Sequence, residues 1–175
     1  MGIASDVVIR DMMLADVDSV MELEREIFSS PWTEELFAYE LRRADKTLYL
    51  VAEDEGRVLG YLGAQLLGGE IHITNMAVAP ALRRRGLGSA LLISCVRRGV
   101  ERGGMWLTLE VRESNHEARE FYRLFGFDEI GLRRGYYSDI GEDAVIMVTG
   151  DIRAPEFLAN LEKVEASRVR GGSEL

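Results

Sequence analysis

The feature that most constrains the fold is a strand-like run that ends at a proline and leads through a glycine-rich turn into an apolar helix. The run is Ile73–Val78, the proline is Pro80, and the turn and helix start carry Arg84–Ser89, with glycines at positions 86 and 88. Free backbone N–H groups, the positive end of a helix dipole and nearby arginines suit a pyrophosphate group. The turn has neither the Lys-Ser/Thr pair of a P-loop nor the third glycine of a dinucleotide fingerprint, which argues against both of those phosphate sites.

Hydrophobic periodicity along the rest of the chain predicts an order of strand, two helices, three strands, helix, strand, helix and two strands. The predicted ranges are about 7–10, 16–28, 33–43, 47–53, 58–66, 70–78, 86–101, 105–111, 114–125, 127–134 and 144–149. Asp16, Thr33 and Ser114 are the predicted helix caps, and Glu117 completes a capping box after Ser114. A three-strand meander followed by helix-linked strands predicts an α/β fold with a mixed sheet and helices on both faces.

Composition limits the classes of protein to which the chain can belong. At 175 residues we expect one domain that folds without disulfides or a structural metal. A net charge of −9 argues against nucleic acid as a general partner and suits a cationic substrate, although solubility alone would also explain it. The single cysteine, Cys95, and two histidines give no metal-ligand spacing, and no apolar run is long enough for a membrane span. We therefore predict a cytoplasmic protein with no metal, nucleic-acid or membrane partner.

Four segments in a fixed order resemble the GNAT acyltransferases. They are the Arg-x-x-Gly-x-Gly turn, Leu109–Asn115, Phe121–Phe127 and the stretch from Arg133 to Met147. The likeness extends over about residues 7–152, and within the superfamily the chain is most similar to the RimI group of ribosomal-protein alanine N-acetyltransferases. It implies the GNAT fold, with a mixed, mostly antiparallel central sheet and helices on both faces. We accordingly predict an acetyltransferase domain over residues 1–152 and a C-terminal extension over 153–175 that is partly helical or disordered.

The resemblance implies acetyl-CoA as the cosubstrate, and it implies roles for individual residues. By that likeness Glu110 is the general base and Tyr122 the general acid. The implied contacts with acetyl-CoA are the backbone of Met76, Ala77 and Val78 at the acetyl and pantetheine end, Arg84, Arg85, Gly86, Leu87, Gly88 and Ser89 at the pyrophosphate, and Asn115 as a further contact. Taken without the resemblance, Glu110 could instead be a surface ion-pair partner, Tyr122 a core residue and Asn115 a helix cap.

Transfer of an acetyl group from a thioester requires a neutral amine. A free carboxylate with a pKa of about 4.3 is a weak base, so we expect partial desolvation beside Trp106 or Tyr122 to help by raising the pKa of Glu110. An α-amine has a pKa of about 7.8 and a lysine side chain about 10.4, so deprotonating the lysine costs about 3.5 kcal/mol more. One modest base therefore favours an α-amine as the acceptor.

Aromatic residues in two loops are the candidates for acceptor binding. They are Trp32, Tyr136 and Tyr137, whose alternative role is ordinary packing of the two loops. The acidic neighbours Glu34, Glu35, Asp139 and Glu142 suit a basic peptide. The resemblance implies the N-terminal alanine of small-subunit ribosomal protein eighteen as the acceptor. The alternatives are acetylation of a small amine (a polyamine or an antibiotic) or of lysines, or acetyl-CoA binding without catalysis, and the pattern leaves the oligomeric state open.

Overall fold

The structure is a computed structural model that describes residues 7–170, with the side chains of residues 7–168. The strands are β1 Val8–Asp11, β2 Thr47–Asp54, β3 Arg57–Leu67, β4 Glu70–Val78, β5 Trp106–Arg112, β6 Phe127–Tyr137 and β7 Glu142–Thr149. The helices are α1 Val17–Ile27, α2 Glu34–Leu41, α3 Leu87–Glu101, α4 His116–Leu124 and α5 Pro155–Arg170. Short 3₁₀ turns, Leu14–Asp16 and Pro80–Leu82, precede α1 and α3. Residues 171–175, at the end of the predicted C-terminal extension, lie outside the described residues.

All seven described strands form one sheet in the order β1-β2-β3-β4-β5-β7-β6. Within it β4 and β5 are parallel, and every other neighbouring pair is antiparallel. The parallel pair follows from the connection through α3, since parallel neighbours need a crossover rather than a hairpin. The predicted mixed, mostly antiparallel sheet is confirmed.

Helices cover both faces of the sheet, as predicted. On one face α1 and α2 form a buried layer with the sheet, in which Phe37 packs against Tyr61. On the other face α3, α4 and α5 contribute to a second buried cluster, which contains Leu91 of α3 and Leu107 of β5. Cys95 is fully buried in this second layer, and desolvation raises the pKa of its thiol to about 12, as suits a packing residue rather than a nucleophile.

The start of α4 differs from the prediction by one residue. The cap is Asn115, whose Oδ1 accepts a hydrogen bond from the N–H of Ala118 at 3.1 Å, and the predicted cap at Ser114 is wrong. Ser114 is held outside the helix because its own N–H donates to Glu142 Oε1 at 2.7 Å. The capping role that we gave as an alternative for Asn115 is therefore present, and it does not exclude a second role in binding.

Two other segments also differ from the predicted pattern, whereas the C-terminal extension contains the helix that was predicted for part of it. Asp16 makes no capping hydrogen bond to α1, because its carboxylate binds the Arg10 guanidinium at 2.7 and 2.8 Å and the Met13 N–H at 2.7 Å. The predicted loop at residues 135–142 is shorter, since β6 continues through residue 137 and β7 begins at 142. The C-terminal extension forms a 16-residue helix, α5. The domain boundary at residue 152 stays a prediction.

Candidate active site

A cleft opens where the parallel strands β4 and β5 separate. Pairing between them runs from Glu70 opposite Trp106 to Ile73 opposite Leu109 and then stops. At this point the β3–β4 register shifts by one residue, while β5 continues to pair with β7 on its other side. The backbone of residues 75–78 therefore has no partner on β5, and its polar groups form an open strand edge along the cleft.

The cleft has a volume of about 1400 Å³, larger than the roughly 300–1,000 Å³ that a single drug-sized ligand occupies. It therefore has room for two substrates. All the site residues predicted from the sequence line it: Trp32, Met76, Ala77, Val78, Arg84, Arg85, Gly86, Leu87, Gly88, Ser89, Glu110, Asn115, Tyr122, Tyr136 and Tyr137. The structure thus brings the predicted site residues together, and their individual roles stay predictions.

One part of the cleft is formed by the first turn of α3. Gly86 is the N-cap residue, with a φ of 82°, in the left-handed region that glycine adopts at low cost. Among the described residues no side chain caps this helix, so the N–H groups of Leu87, Gly88 and Ser89 keep the free donors of a helix start. With Arg85 beside them, these amides form a site suited to an anion.

Glu110 is nearly buried, and both of its carboxylate oxygens face a nitrogen group. Oε2 lies 3.2 Å from His72 Nε2, and Oε1 lies 3.2 Å from the Arg133 guanidinium. The hydrogen bond with His72, helped by the charges of His72 and Arg133, lowers the pKa of Glu110. The same contact raises the pKa of His72, against the opposing effects of burial and of the Arg133 charge. Our expectation that desolvation raises the pKa of Glu110 is therefore wrong: burial acts in that direction, but the His72 contact outweighs it.

His72 is the functional candidate that the sequence analysis misses. It lies opposite Thr108 in the β4–β5 register, and its Nδ1 is 2.8 Å from Thr108 Oγ1, which in turn donates to Glu70. A line of hydrogen bonds therefore connects Glu70, Thr108, His72 and Glu110. The sequence signal that could have indicated His72 is the alternation that gives β4 and β5 one polar face each. Only the pairing register of the two strands shows that His72 on β4 lies beside the polar residues of β5.

Tyr122 reaches the cleft from the opposite face of β5. It lies on α4 in the buried layer that contains Leu109 and Val111, whereas Glu110 projects from the other face of the same strand. The ring packs against Phe127 at a centroid distance of 5.4 Å. Burial raises the pKa of the Tyr122 hydroxyl, so the group keeps its proton at neutral pH and is available as a donor.

Aromatic side chains from the loop after α1 and from the end of β6 line a second part of the cleft. The rings of Tyr136 and Tyr137 are perpendicular, 5.1 Å apart, and the Tyr137 hydroxyl donates to the Glu110 carbonyl oxygen at 3.3 Å. The backbone N–H of Trp32 donates to the carboxylate of Glu24 at 2.7 Å. Desolvation raises the pKa of Glu24. These contacts hold the predicted acceptor-binding residues along one wall.

Asp139 and Glu142 do not form a free acidic surface. Both bind the Arg112 guanidinium, at 2.8 Å and 3.3 Å. Asp139 also accepts a hydrogen bond from Ser29 Oγ at 2.5 Å, which connects the loop after α1 to the β6–β7 loop. The hydrogen bonds from Arg112 and Ser29 lower the pKa of Asp139 to about 2. The single positive charge of Arg112 compensates one of these two negative charges, which weakens the predicted attraction of a basic peptide.

The described part of the chain shows neither a metal site nor a helix that could span a membrane. Within residues 7–168, no three His, Cys, Asp or Glu side chains are arranged to hold a metal ion. None of the described helices combines the length and the apolar character needed to cross a bilayer.

Comparisons with known proteins find acetyltransferases among the relatives of this chain. The sequence profile of the acetyltransferase (GNAT) family matches residues 17–127. The putative [ribosomal protein bS18]-alanine N-acetyltransferase of Bacillus subtilis is 42% identical over 139 residues, which are 79% of this chain and 92% of that protein. The [ribosomal protein bS18]-alanine N-acetyltransferase of Escherichia coli K12 is 33% identical over 141 residues, 79% of this chain and 94% of that protein.

Solved structures agree with the sequence comparisons. The crystal structure of the ribosomal-protein-S18-alanine N-acetyltransferase from Escherichia coli superposes with a TM-score of 0.75 at 32% identity, covering 83% of this chain and 94% of that one. The crystal structure of Ard1 from Thermoplasma volcanium gives a TM-score of 0.77 at 28% identity, covering 83% of this chain and 97% of that one. The chain thus spans nearly the whole length of these relatives.

Proposed function

The chain belongs to the acetyltransferase (GNAT) family, and from that premise we propose that it acetylates the α-amine of a protein N-terminus, the N-terminal alanine of ribosomal protein bS18. The relatives from Bacillus subtilis and Escherichia coli, whose names state this acceptor, support the proposal. One observation in the cleft carries it: an open strand edge lies between a carboxylate–imidazole pair on one face of β5 and a buried tyrosine on the other. This arrangement suits direct transfer of an acetyl group from a thioester to an amine.

Acetyl-CoA, the donor used by GNAT acetyltransferases, suits the chemistry of the cleft. The amide groups of a pantetheine arm can pair with the open backbone of Met76–Val78 in the manner of an added strand. One of these backbone N–H groups would polarise the thioester carbonyl. The amides at the start of α3, together with Arg84 and Arg85, would bind the pyrophosphate, and Asn115 would add a further polar contact.

The Glu110–His72 pair would accept the proton that the attacking ammonium must lose. A carboxylate with a lowered pKa is by itself a poor base for an ammonium whose pKa is about 7.8. A histidine has an ordinary pKa of about 6.5, and the contact with Glu110 raises the pKa of His72 above that ordinary value. The proton would pass to Glu110 and rest on His72, and the neutral amine would then form the new C–N bond. Base strength would come from the pair and not from a desolvated carboxylate.

Tyr122 would act on the leaving group. As the C–S bond breaks, its hydroxyl would give a proton to the departing sulfur. The nitrogen of the new amide would release its second proton to solvent, and solvent would return a proton to the tyrosine. Trp32, Tyr136 and Tyr137 would hold the first residues of the acceptor peptide beside the thioester. The group that accepts the proton of the amine and the group that donates a proton to the sulfur would therefore lie on opposite faces of β5.

The test uses two peptides that differ only in whether the α-amine is free. The first carries the N-terminal sequence of bS18 followed by an internal lysine, and the second is the same peptide with its N-terminus already acetylated. After incubation with labelled acetyl-CoA, tandem mass spectrometry should find the label on the α-amine of the first peptide and none on the second. Label on the lysine of the blocked peptide, or faster turnover of a free polyamine, would contradict the proposal in favour of lysine or small-amine acetylation.

A further inference from the structure

A further arginine reaches the phosphate-binding part of the cleft from the C-terminal helix. Arg168 of α5 lines the cleft together with Gly86. A Cβ added to Gly86 would lie 2.4 Å from Arg168 Cγ and 2.8 Å from Cδ, so the aliphatic stem of the arginine lies directly on the glycine. The Nε atom of Arg168 is buried and has no hydrogen-bond partner among the described residues.

Contacts with α3 and α4 fix the position of α5. Arg97 on α3 binds Glu165 with two hydrogen bonds, at 3.1 and 2.6 Å. Asn160 Nδ2 donates to the carbonyl oxygen of Leu124 at 2.9 Å, and Leu161 is buried against the sheet. Because positions three residues apart share one side of a helix, the anchor at residue 165 directs residue 168 to the same side.

A buried, unpaired N–H on a cationic group is unfavourable, and native structures nearly always give such a group a partner. The adjoining helix start is an anion site, and a guanidinium matches phosphate oxygens with a two-pronged hydrogen bond. We propose that Arg168 is a ligand of the pyrophosphate of acetyl-CoA. The inference rests on the proposed function. It adds a ligand from a helix that lies beyond residues 17–127, the part matched by the family profile.

The test measures the binding of three ligands to the full chain by calorimetry. Coenzyme A carries the pyrophosphate and a 3′-phosphate, dephospho-coenzyme A keeps only the pyrophosphate, and acetyl-pantetheine has neither. Arg168→Gln should weaken both nucleotide ligands by the same factor, on the order of 10-fold or more for one charge-assisted contact, and leave acetyl-pantetheine unchanged. The matched control is Lys163→Gln, which removes an exposed charge from the same helix and should leave all three affinities unchanged.

The other outcomes each overturn a defined part of the proposal. A loss confined to coenzyme A would assign Arg168 to the 3′-phosphate and overturn the pyrophosphate contact. Equal affinities in parent and variant, or an equal loss for acetyl-pantetheine, would overturn the inference while leaving the proposed function intact. A parent chain that binds no coenzyme A would overturn both. If Arg168→Gln does not fold, Arg168→Lys keeps the stem and the charge, and it should still bind dephospho-coenzyme A more weakly than the parent; equal affinity would overturn the two-pronged contact.

Discussion

The hydrogen bond between Glu110 and His72 predicts a measurable change in histidine titration. Glu110→Gln removes the carboxylate that is the largest cause of the raised pKa of His72. The two side chains are only 7% and 24% exposed, so solvent screening is limited. A hydrogen bond to a charged group contributes about 1.5–3 kcal/mol, and one pKa unit corresponds to about 1.36 kcal/mol. The pKa of His72 should therefore fall in the variant, because the contact that raises it most is lost.

Two-dimensional NMR of the imidazole protons during a pH titration measures this change in the pKa of His72 directly. The chain has only two histidines, and the second signal, from His116, serves as an internal control because it has no contact with residue 110. Glu113→Gln is the matched variant, since it removes a carboxylate three residues away that does not touch His72. If His72 titrates at the same pH in Glu110→Gln as in the parent, the pair is not coupled and the proton path through it is wrong.

Three further predictions concern the acid, the glycine turn and pH. Tyr122→Phe should lower kcat by about 100-fold, the lower range for loss of a general acid, with little change in KM for either substrate; in steady-state assays an unchanged kcat would remove Tyr122 as the acid. Gly86→Ala should lower the free energy of unfolding, measured by urea denaturation, by about 1–3 kcal/mol, because residue 86 has a positive φ and contacts Arg168. Gly88→Ala should lower it by less, because the added Cβ would meet no heavy atom closer than 3.6 Å. His72→Asn should lose stability relative to the parent most strongly at pH 5–6, since a raised histidine pKa stabilises the fold below 6.5 and the effect disappears as pH rises through the folded-state pKa; a difference that grows toward pH 9 would contradict this sign.

Much of the fold is predictable because it depends on local patterns. β4 is predicted at residues 70–78 and found at Glu70–Val78, and α3 is predicted from 86 and begins at Leu87. Each of these elements is buried on one side, so its apolar residues recur in the sequence with the period of a strand or of a helix, and this recurrence sets the predicted bounds. β6 is less predictable because it is an edge strand exposed at nearly every position from Asp128 to Tyr136, and an exposed strand has no apolar alternation.

The candidate site was only partly predictable, for a different reason. Residues that lie within one motif, such as those around Gly86, stay together wherever the motif folds. His72 and Arg133, which set the charge around Glu110, belong to β4 and β6 and reach it only through the strand order β4-β5-β7-β6. Arg168 comes from a helix beyond the recognised pattern. The pKa of a candidate base depends on such partners, so its direction could not be predicted from its own strand.

The opposed positions of Glu110 and Tyr122 follow from the register of β5. Successive side chains of a strand point to opposite faces, so the pairing of Glu110 with Ile146 on β7 commits residue 110 to one face and Leu109 and Val111 to the layer that contains Tyr122. A slip of one residue would bury the carboxylate beside Tyr122 and turn the leucine toward His72. Because the loss of buried apolar surface makes that slip unfavourable, the packing of the core also keeps the proposed base and the proposed acid on opposite sides of the gap through which the acetyl group would pass.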